Sequence, residues 1–367
     1  MNKEQKNVES FFYREASDIG RGLRMILIGA CGWSRLYEAV PPSMRSGKST
    51  LQAYAGLFPV AEINSSFYRF HKTETYRSWR NEVPESFEFT IKCHESISHK
   101  ARLCTTEETL KAMQKMTDAA EACGAKVLLL QTPASLRAGE ETIKEAAPFF
   151  QSVKKKGVSL AWETRGKSWE KEEARCALKE LLEKFEVVHV TDPLKLEPVF
   201  FSGFAYFRLH GLPGYNLNYT YTNNQLLHLY ELLKHYEEKT GRVYVLFNNY
   251  AMYRDAERFQ ALNRDGEPPP SPFGPRSVWW ALRTFEDWPT TKEQLLRRCG
   301  LRRCWVEPDK TVMLRTILQG FRKKTYRGLE DMVEEAETVW LETDYPISEE
   351  VERKAQRYNV PRHSRTS

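Results

Sequence analysis

Eight short apolar runs recur along the chain, and each ends in polar or charged residues. Runs of four to six residues bounded in this way are too short for helices and are typical of strands buried on both faces. Most of the segments between them carry helical periodicity, and several of those segments stop at a glycine. The runs occupy residues 25–29, 60–63, 87–91, 126–130, 158–162, 187–190, 204–209 and 243–247.

Strands that alternate with helices predict right-handed crossovers and a parallel sheet. Eight such units within residues 25–266 favour an α/β fold of the closed (β/α)8 TIM type. The alternative is a doubly wound open sheet, which usually carries a glycine-rich phosphate turn after its first strand. The turn in this chain reads GACGW and lacks that pattern, so the barrel is the better prediction.

The remaining segments are predicted from composition. Residues 267–275 read EPPPSPFGP and indicate a proline-rich linker, followed by a mainly helical C-terminal extension over 276–356. One of its helices is predicted over 310–321, and 357–367 are predicted to be a disordered tail. Residues 1–24 form a polar leader that is either disordered or the product of a mis-annotated start, since Met25 opens the first run.

Cysteine usage and hydropathy indicate the compartment. The seven cysteines are scattered without a CxxC pair, which favours reduced thiols over a disulfide framework or a zinc site. No apolar run approaches the roughly 18 residues of a membrane span. We therefore expect a cytoplasmic protein with no membrane partner.

The residues at the ends of the runs resemble a known family. The motifs GACGW, EINSSFY, FEFTIKCHESISH, LLQTP, WETR, RLHG and FNN occur in that order between about residues 26 and 249. This order resembles domain-of-unknown-function family 72, also called the YecE-like family. The resemblance implies a TIM-type barrel and supplies no established reaction, and the linker and extension lie outside it.

Acidic residues and histidines stand where the catalytic groups of a barrel would be. The carboxyl ends of all eight strands meet at one rim, so these side chains are expected to converge and transfer protons. An ion pair that only fixes the rim is the alternative for each glutamate, and a hydrogen bond to a loop carbonyl is the alternative for each histidine. If the glutamates are catalytic, glutamine at Glu62 or Glu163 should abolish turnover with little change in melting temperature. The predicted catalytic residues are Glu62, Glu163, Asp192, His99 and His210.

The same rim is predicted to bind substrate. Lys92, Arg165 and Arg208 follow apolar runs and indicate an anionic ligand, while the amides and aromatic rings suit a polyhydroxylated one. Lys92 could instead form a Schiff base, although binding a carboxylate or phosphate is the simpler role. Trp162 and Trp169 either join the ligand site or pack in the core. The predicted substrate-binding residues are Trp33, Asn64, Tyr68, Lys92, Gln131, Arg165, Arg208, Asn248 and Asn249.

The cofactor is left open by the sequence. Glu62, Glu163, Asp192 and His210 could form an oxygen-rich cluster for a divalent metal. No HExxH or His-x-His spacing supports such a cluster, so no residue is assigned as a metal ligand.

The extension carries a strongly basic stretch. Residues 291–328 contain eleven lysines and arginines against three acidic residues, with Trp305 and Tyr326 interleaved. Such a pattern can bind nucleic-acid phosphates and stacked bases, or can be a solvated face balanced by the acidic residues 330–337. The candidate contacts are Arg297, Arg298, Arg302, Arg303, Arg322, Lys323 and Lys324.

Three functions therefore compete. The first is an enzyme that acts by acid–base chemistry on an anionic or sugar-like small molecule at the barrel mouth, as a hydrolase, lyase or isomerase. The second is a nucleic-acid-binding or nuclease-like protein that uses the basic extension as a clamp. The third is a ligand-binding module without turnover.

Overall fold

The computed structural model describes residues 25–36 and 40–355. The predictions of a leader over 1–24 and of a tail over 357–367 lie outside the described residues. None of the described helices has the length and apolar character needed to cross a bilayer.

A parallel sheet of eight strands forms the centre of the molecule. Its strand order is β6-β5-β4-β3-β2-β1-β8-β7, and every pair of neighbours runs parallel. The strands are β1 Met25–Ala30, β2 Val60–Ile63, β3 Glu88–Lys92, β4 Val127–Gln131, β5 Ser159–Glu163, β6 Val187–Val190, β7 Ala205–Leu209 and β8 Arg242–Phe247.

The two edge strands of this sheet also meet. Thr191, just after β6, forms a parallel bridge with Phe207 of β7, and the Arg208 N–H donates to the Thr191 carbonyl at 3.0 Å. The sheet is therefore closed into a barrel, which confirms the predicted (β/α)8 fold.

Helices follow seven of the eight barrel strands, as predicted. The segment between β6 and β7 has no helix, as its short, proline-containing sequence indicated. Sequence signals set several helix ends: a capping box of Thr222 and Gln225 begins one helix, and Gly124 ends another with φ 65°. The helices around the barrel are α1 Pro42–Arg45, α2 Thr50–Ala55, α3 Thr73–Asn81, α4 Glu107–Cys123, α5 Glu140–Ser152, α6 Glu172–Phe185, α7 Asn223–Thr240 and α8 Met252–Asp265.

Side chains of the strands alternate between two cores, and this alternation decides which residues reach the site. On β7, Phe207 and Leu209 pack outwards into the core between sheet and helices. Tyr206 packs inwards with the side chains that fill the barrel, and Arg208 lies two residues further along the same face. The barrel interior is filled by Leu27, Cys31, Val60, Val127, Leu129, Ala161, Val188, Val190, Phe204, Tyr206, Tyr244 and Leu246.

The C-terminal extension has a hydrophobic core of its own around Leu282, Leu295, Leu318 and Trp340. Its elements are α9 Arg276–Leu282, β9 Thr290–Thr291, α10 Lys292–Cys299, β10 Arg303–Glu307, β11 Lys310–Met313, α11 Leu314–Gln319, β12 Thr325–Tyr326, α12 Leu329–Thr343 and α13 Ser348–Ala355. The expected helix over 310–321 is wrong for its first turn, because β10 and β11 pair as an antiparallel hairpin across Pro308 and Asp309.

This hairpin packs on loops of the barrel mouth. The Thr220 N–H donates to the Pro308 carbonyl at 2.8 Å, and Asn218 Nδ2 donates to the Asp309 carbonyl at 3.0 Å. The guanidinium of Arg254 lies 4.0 Å from the centre of the Trp305 ring. The extension therefore supports the loop between β7 and α7.

Candidate active site

Glu62 lies fully buried on β2, with both carboxylate oxygens bound by protein groups. Its Oε2 accepts a hydrogen bond from the Tyr206 hydroxyl at 2.5 Å, and its Oε1 accepts one from Arg208 Nη2 at 2.7 Å. Tyr206 and Arg208 are two residues apart on β7 and therefore face the same side. These three side chains form a triad, which we call the mouth triad.

Glu163, the last residue of β5, extends this triad. Its Oε2 accepts from Arg208 Nη1, and its Oε1 accepts from Arg165 Nε at 2.7 Å. Burial would raise the pKa of Glu163, but the charges of Arg165 and Arg208 hold it well below its ordinary range. Glu163 is therefore an ionised anchor between two guanidinium groups.

His210 borders Glu163 and is neutral near pH 7, because burial lowers its pKa to about 3. Asn248 Nδ2 lies 3.2 Å from His210 Nδ1. His210 Nε2 lies 3.3 Å from Glu163 Oε1 and 3.3 Å from Arg165 Nη2. His210 therefore packs as a neutral ring against the ion pair of Glu163 and Arg165.

Lys92, the last residue of β3, stands apart from this chain of ion pairs. Its amine lies 3.8 Å from the centre of the Phe67 ring, and among the described residues no carboxylate oxygen lies within 4 Å of it. Burial, helped by the nearby charge of Arg208, lowers the pKa of Lys92 to about 8 from its ordinary value near 10.5. Lys92 therefore presents an amine that is easily deprotonated.

His99 lies beside Lys92, because both contact Phe67. The rings of His99 and Phe67 are 4.8 Å apart, and His99 Nδ1 lies 3.0 Å from the Ser98 hydroxyl. Burial and the charges of Lys92 and Arg165 lower the pKa of His99, so its imidazole is neutral near pH 7.

Together these groups form what we call the mouth cluster: Glu62, Lys92, Glu163, Arg165, Arg208 and His210. Two carboxylates face three permanent or titratable cations, and the histidine is neutral. Because the carboxylates are already bound, the surplus positive charge lies on Lys92 and on the outer face of Arg165. This arrangement favours an anionic ligand.

Three further predicted residues lie near the cluster. Asn64 Nδ2 donates to the Cys31 carbonyl at 3.1 Å, while its buried Oδ1 has no hydrogen-bond partner among the described residues. Gln131 is buried and donates to the Thr132 carbonyl at 2.8 Å. Tyr68 is 75% exposed and stands at the rim.

Other predicted residues are used elsewhere. Trp33 packs in the outer layer, with ring centres 5.4 Å from Trp79 and 6.1 Å from Phe89. Asn249 donates to the Tyr219 carbonyl at 2.7 Å and to Asp255 at 2.8 Å, so it braces the β7–α7 loop.

Asp192, Trp162 and Trp169 also have structural partners. Asp192 is buried, pairs with Lys195 at 3.0 Å and caps the backbone of Leu194, and burial raises its pKa. Trp162 and Trp169 are buried against each other with ring centres 5.4 Å apart, which fits core packing.

Several residues of the site were not foreseen. Tyr215, 55% exposed in the β7–α7 loop, packs on His210 with ring centres 4.8 Å apart, and the Arg165 guanidinium lies 4.6 Å from its ring centre. Tyr206 could have been found, because it precedes Arg208 by two residues within a strand. Tyr215 gave no such signal, since its loop has no period.

The residues do not fit a divalent metal. The guanidinium of Arg208 occupies the space between Glu62 and Glu163 and binds both. Asp192, the third acid of the expected metal cluster, is directed to Lys195. In the described part of the chain, no group of three His, Cys, Asp or Glu side chains is arranged to hold a metal ion.

Much of the basic charge of the extension is used internally. Arg298 pairs with Asp287, Arg322 with Glu342, and Lys323 with Glu334 at 3.8 Å. Arg302 donates to the Ala281 carbonyl at 2.8 Å and to Thr284. Acidic residues thus pair with part of the predicted nucleic-acid contacts, although Arg298, Arg322 and Lys323 remain exposed, as do Arg297, Arg303 and Lys324.

A recess of about 420 Å³ lies at the opposite end of the barrel, near the starts of β3, β4 and β8. It is bordered by Arg80, Glu85, Ser86, Phe87, Glu88, Gly124, Lys126 and Arg242. It shares no lining residue with the mouth cluster, where the chemically distinctive groups lie.

A closed barrel of eight parallel strands with an ion-pair cluster at the carboxyl ends defines a protein of the TIM-barrel class. The family model described as "Protein of unknown function DUF72" matches residues 27–273, and the chain belongs to this family. This confirms the resemblance read from the motifs, and the match also includes residues 267–273 of the linker, which were expected to lie outside it.

Named relatives match over a short stretch. UPF0759 protein YunF of Bacillus subtilis is 36% identical over 78 residues, or 21% of this chain and 27% of the relative. UPF0759 protein YecE of Escherichia coli K12 is 35% identical over 79 residues, or 22% and 27%. The alignment thus spans about a quarter of each relative's length.

Solved structures match over the barrel. A DUF72 family protein of Thermotoga maritima is 22% identical with a TM-score of 0.52, and covers 65% of this chain and 99% of its own. One from Enterococcus faecalis V583 is 21% identical with a TM-score of 0.54, and covers 67% and 99%. These similarities support the fold.

Proposed function

We propose that the barrel mouth is an enzyme site for a small anionic substrate, which Arg165 and Lys92 bind and on which Lys92 performs proton transfer. The observation that carries this proposal is the unpaired amine of Lys92. Both mouth glutamates have guanidinium partners, whereas Lys92 is held half-buried without a carboxylate. A cation left in this state lowers stability unless a ligand compensates it.

Arg165, Lys92 and His99 have separate roles in this proposal. Arg165 is anchored by Glu163 and stacked on Tyr215, so its remaining N–H groups are fixed in orientation for a carboxylate or phosphate. With a pKa of about 8, Lys92 is mainly an ammonium at physiological pH and helps to bind the anion, while its smaller neutral fraction can accept a proton from substrate held by Arg165. His99 is neutral beside it and can relay that proton.

We also propose that this activity is cytoplasmic. All seven cysteines are free, and five of them are buried thiols: Cys31, Cys93 and Cys123 in the barrel and its helices, and Cys299 and Cys304 in the extension. Unpaired thiols in this number suit a reducing compartment.

Calorimetric titration of the full-length protein with inorganic phosphate and with small carboxylates tests the binding step. Lys92→Met should weaken binding at least about 10-fold, as expected for the loss of a charge-assisted contact. Lys126→Met is the matched control, because Lys126 is exposed at the opposite end of the barrel. Binding to the wild type should also weaken as pH rises through about 8, since the ammonium form of Lys92 is lost there.

The catalytic step needs a separate readout. Small anionic carbonyl compounds incubated with the protein in heavy water should gain deuterium at carbon, and Lys92→Met should abolish this exchange. If compounds in the panel bind but none of them gains deuterium, the protein is a ligand-binding module without turnover. Equal affinities for Lys92→Met and Lys126→Met would refute the site itself.

A further inference from the structure

Exposed aromatic side chains are confined to the mouth of the barrel. Among the described residues, four Phe, Tyr or Trp side chains are exposed: Tyr68 at 75%, Phe70 at 38%, Tyr215 at 55% and Tyr250 at 49%. We call these four the aromatic arc. Exposed rings are costly to hydrate, so their collection at one place indicates a surface that is covered by a partner.

The strand order makes this arc continuous. Tyr68 and Phe70 follow β2, Tyr250 follows β8, and Tyr215 follows β7. In the barrel these strands are neighbours in the order β2-β1-β8-β7. The four rings therefore stand along one half of the rim.

Cationic side chains lie against these rings. The Arg303 and Arg35 guanidinium groups lie 5.4 and 6.0 Å from the centre of Tyr250. The amine of Lys115 on α4 lies 4.9 Å from the centre of Phe70, and Arg165 lies 4.6 Å from that of Tyr215. Three of the four rings thus have a positive charge against them.

Acidic residues are almost absent from the loops that carry the arc. Segments 64–72, 210–222 and 248–251 contain no aspartate or glutamate, and segment 31–49 after β1 contains only Glu38. The same segments add Arg45, Lys48, Arg69 and Lys72 to the cations already named. The loops themselves are therefore net positive. Acidic residues of the extension reduce this charge locally, because Glu286 accepts a hydrogen bond from the Ser43 N–H and Asp309 lies beside Asn218.

We propose that the aromatic arc binds a single-stranded nucleic acid, whose bases stack on the tyrosines and whose phosphates pair with Arg35 and Arg303. Stacking needs bases with free faces, which a single strand offers and a duplex does not. A neutral oligosaccharide would use the rings but would leave the cations without a role. This inference goes beyond the small-anion site, and its contacts at Tyr250 involve none of the mouth cluster.

The contact between Arg303 and Tyr250 gives the extension a part in this surface. Arg303 Nη1 donates to Asn218 Oδ1 at 3.0 Å, which fixes β10 beside the β7–α7 loop. Arg303 of β10 thus adds a cationic contact to Tyr250 to the hairpin contacts through Pro308, Asp309 and Trp305.

Fluorescence anisotropy of full-length protein with labelled 12-nucleotide oligo-uridine and oligo-thymidine tests the proposal. Tyr250→Ala should weaken binding about 5- to 100-fold, the range expected for losing one stacked base. Leu341→Ala is the control, because Leu341 is 84% exposed on α12 and far from the rim in sequence. Circular dichroism confirms that both variants are folded.

A second pair of variants tests the phosphate contacts. Arg303→Gln should weaken binding and flatten the plot of log K against log salt by about 0.7, the value for one phosphate on a single strand. Arg297→Gln, at an exposed arginine on α10, should change neither. Tyr250→Ala should leave phosphate titration of the mouth unchanged, so failure of the strand surface and failure of the small-anion site are separable.

Several results would overturn the proposal. One is equal binding of the oligonucleotides by Tyr250→Ala and Leu341→Ala. Another is tighter binding of a same-length duplex than of the single strand. A third is binding of a neutral oligosaccharide that does not depend on salt and is abolished by Tyr250→Ala. That result would show that the rings bind sugar.

Discussion

The two ends of the barrel interior each carry a triad of tyrosine, glutamate and arginine. At the mouth, Tyr206 and Arg208 bind Glu62. At the base, the Tyr244 hydroxyl donates to Glu88 at 2.5 Å and Arg242 Nη1 donates to it at 2.6 Å. In both triads the tyrosine and arginine are two residues apart on one strand and reach a glutamate on another.

The triads differ in what lies beyond them. The base triad ends at Arg242, whose side chain is 40% exposed and can exchange its contacts with water. The mouth triad continues through Arg208, which is 1% exposed, to Glu163 and Arg165, and Lys92 stands beside it without a carboxylate.

This difference distinguishes residues that only stabilise the barrel from residues that indicate a ligand site. A glutamate at a strand end can be explained by its triad alone, since the base has one too. What the base lacks is a second carboxylate fixing an outward arginine and an unpaired lysine with a lowered pKa. The feature that indicates function is therefore the positive charge of Lys92 and Arg165 that no carboxylate neutralises. The carboxylates hold the arginines in position.

Removing the arginine of each triad should give the largest contrast. Arg208→Met leaves two buried carboxylates without their common partner and should cost about 3–5 kcal/mol of unfolding free energy. Arg242→Met should cost less than about 1 kcal/mol, because water can replace an exposed partner. Urea unfolding at pH 7 measures both, and equal losses would mean that the ends of the barrel are energetically alike.

Glu163→Gln should be the next largest effect, at about 2–3 kcal/mol at pH 7, since the glutamine cannot balance Arg208 and Arg165. The pKa of Glu163 is held below its ordinary value, so its contribution is complete above about pH 4.5 and is lost as pH falls through the folded-state pKa. Unfolding curves of wild type and variant should therefore converge in acid.

This prediction replaces the expectation that glutamine at Glu62 or Glu163 would leave the melting temperature nearly unchanged. That expectation assumed carboxylates free to meet a substrate. Because both are bound by Arg208, a loss of activity in these variants has to be read beside their loss of stability.

Lys92→Met should act in the opposite direction. The folded-state pKa of Lys92 is lowered to about 8, so the ammonium form opposes folding at pH 7 and methionine should stabilise the protein by about 1–3 kcal/mol. Between about pH 8 and 10.5 the unfolded state binds more protons, so the wild type gains stability and the difference should shrink. Thermal unfolding across this range measures it, and a destabilised variant at pH 7 would show that Lys92 has a partner.

The fold could be predicted because its signals are local. An apolar run such as Phe87 to Ile91 followed by Lys92, then a helix ending at Gly124, specifies one strand and one crossover without knowledge of the rest. Closure followed from counting these units. The hairpin of β10 and β11 was missed because its strands are short and β11 runs directly into helix α11, so the two segments were predicted as one helix over 310–321.

The site could be predicted only as a set of candidates. The ends of the strands indicated Glu62, Lys92, Glu163 and His210, since position along a strand is a local property. Which atoms pair depends on residues more than 100 positions apart, such as Glu62 with Arg208. Trp33 and Asn249 also lie just after strands. The chain turns after each of these strands, so Trp33 packs on Trp79 and Asn249 donates to Asp255.

The smallest contrast comes from the two tyrosines. Tyr206→Phe removes a hydrogen bond to a carboxylate that is fully buried, and it also frees Thr90, so we expect a loss of about 1.5–2 kcal/mol. Tyr244→Phe should cost about 0.5–1 kcal/mol, because the Glu88 side chain is 12% exposed and water can take the vacant position.

Phosphate titration supplies the second readout: Tyr206→Phe should bind within about 2-fold of wild type, since the surplus charge lies on Lys92 and Arg165. A 10-fold loss of affinity would instead place Tyr206 and Glu62 in direct contact with the ligand, and the mouth triad would then differ from the base triad in function as well as in surroundings.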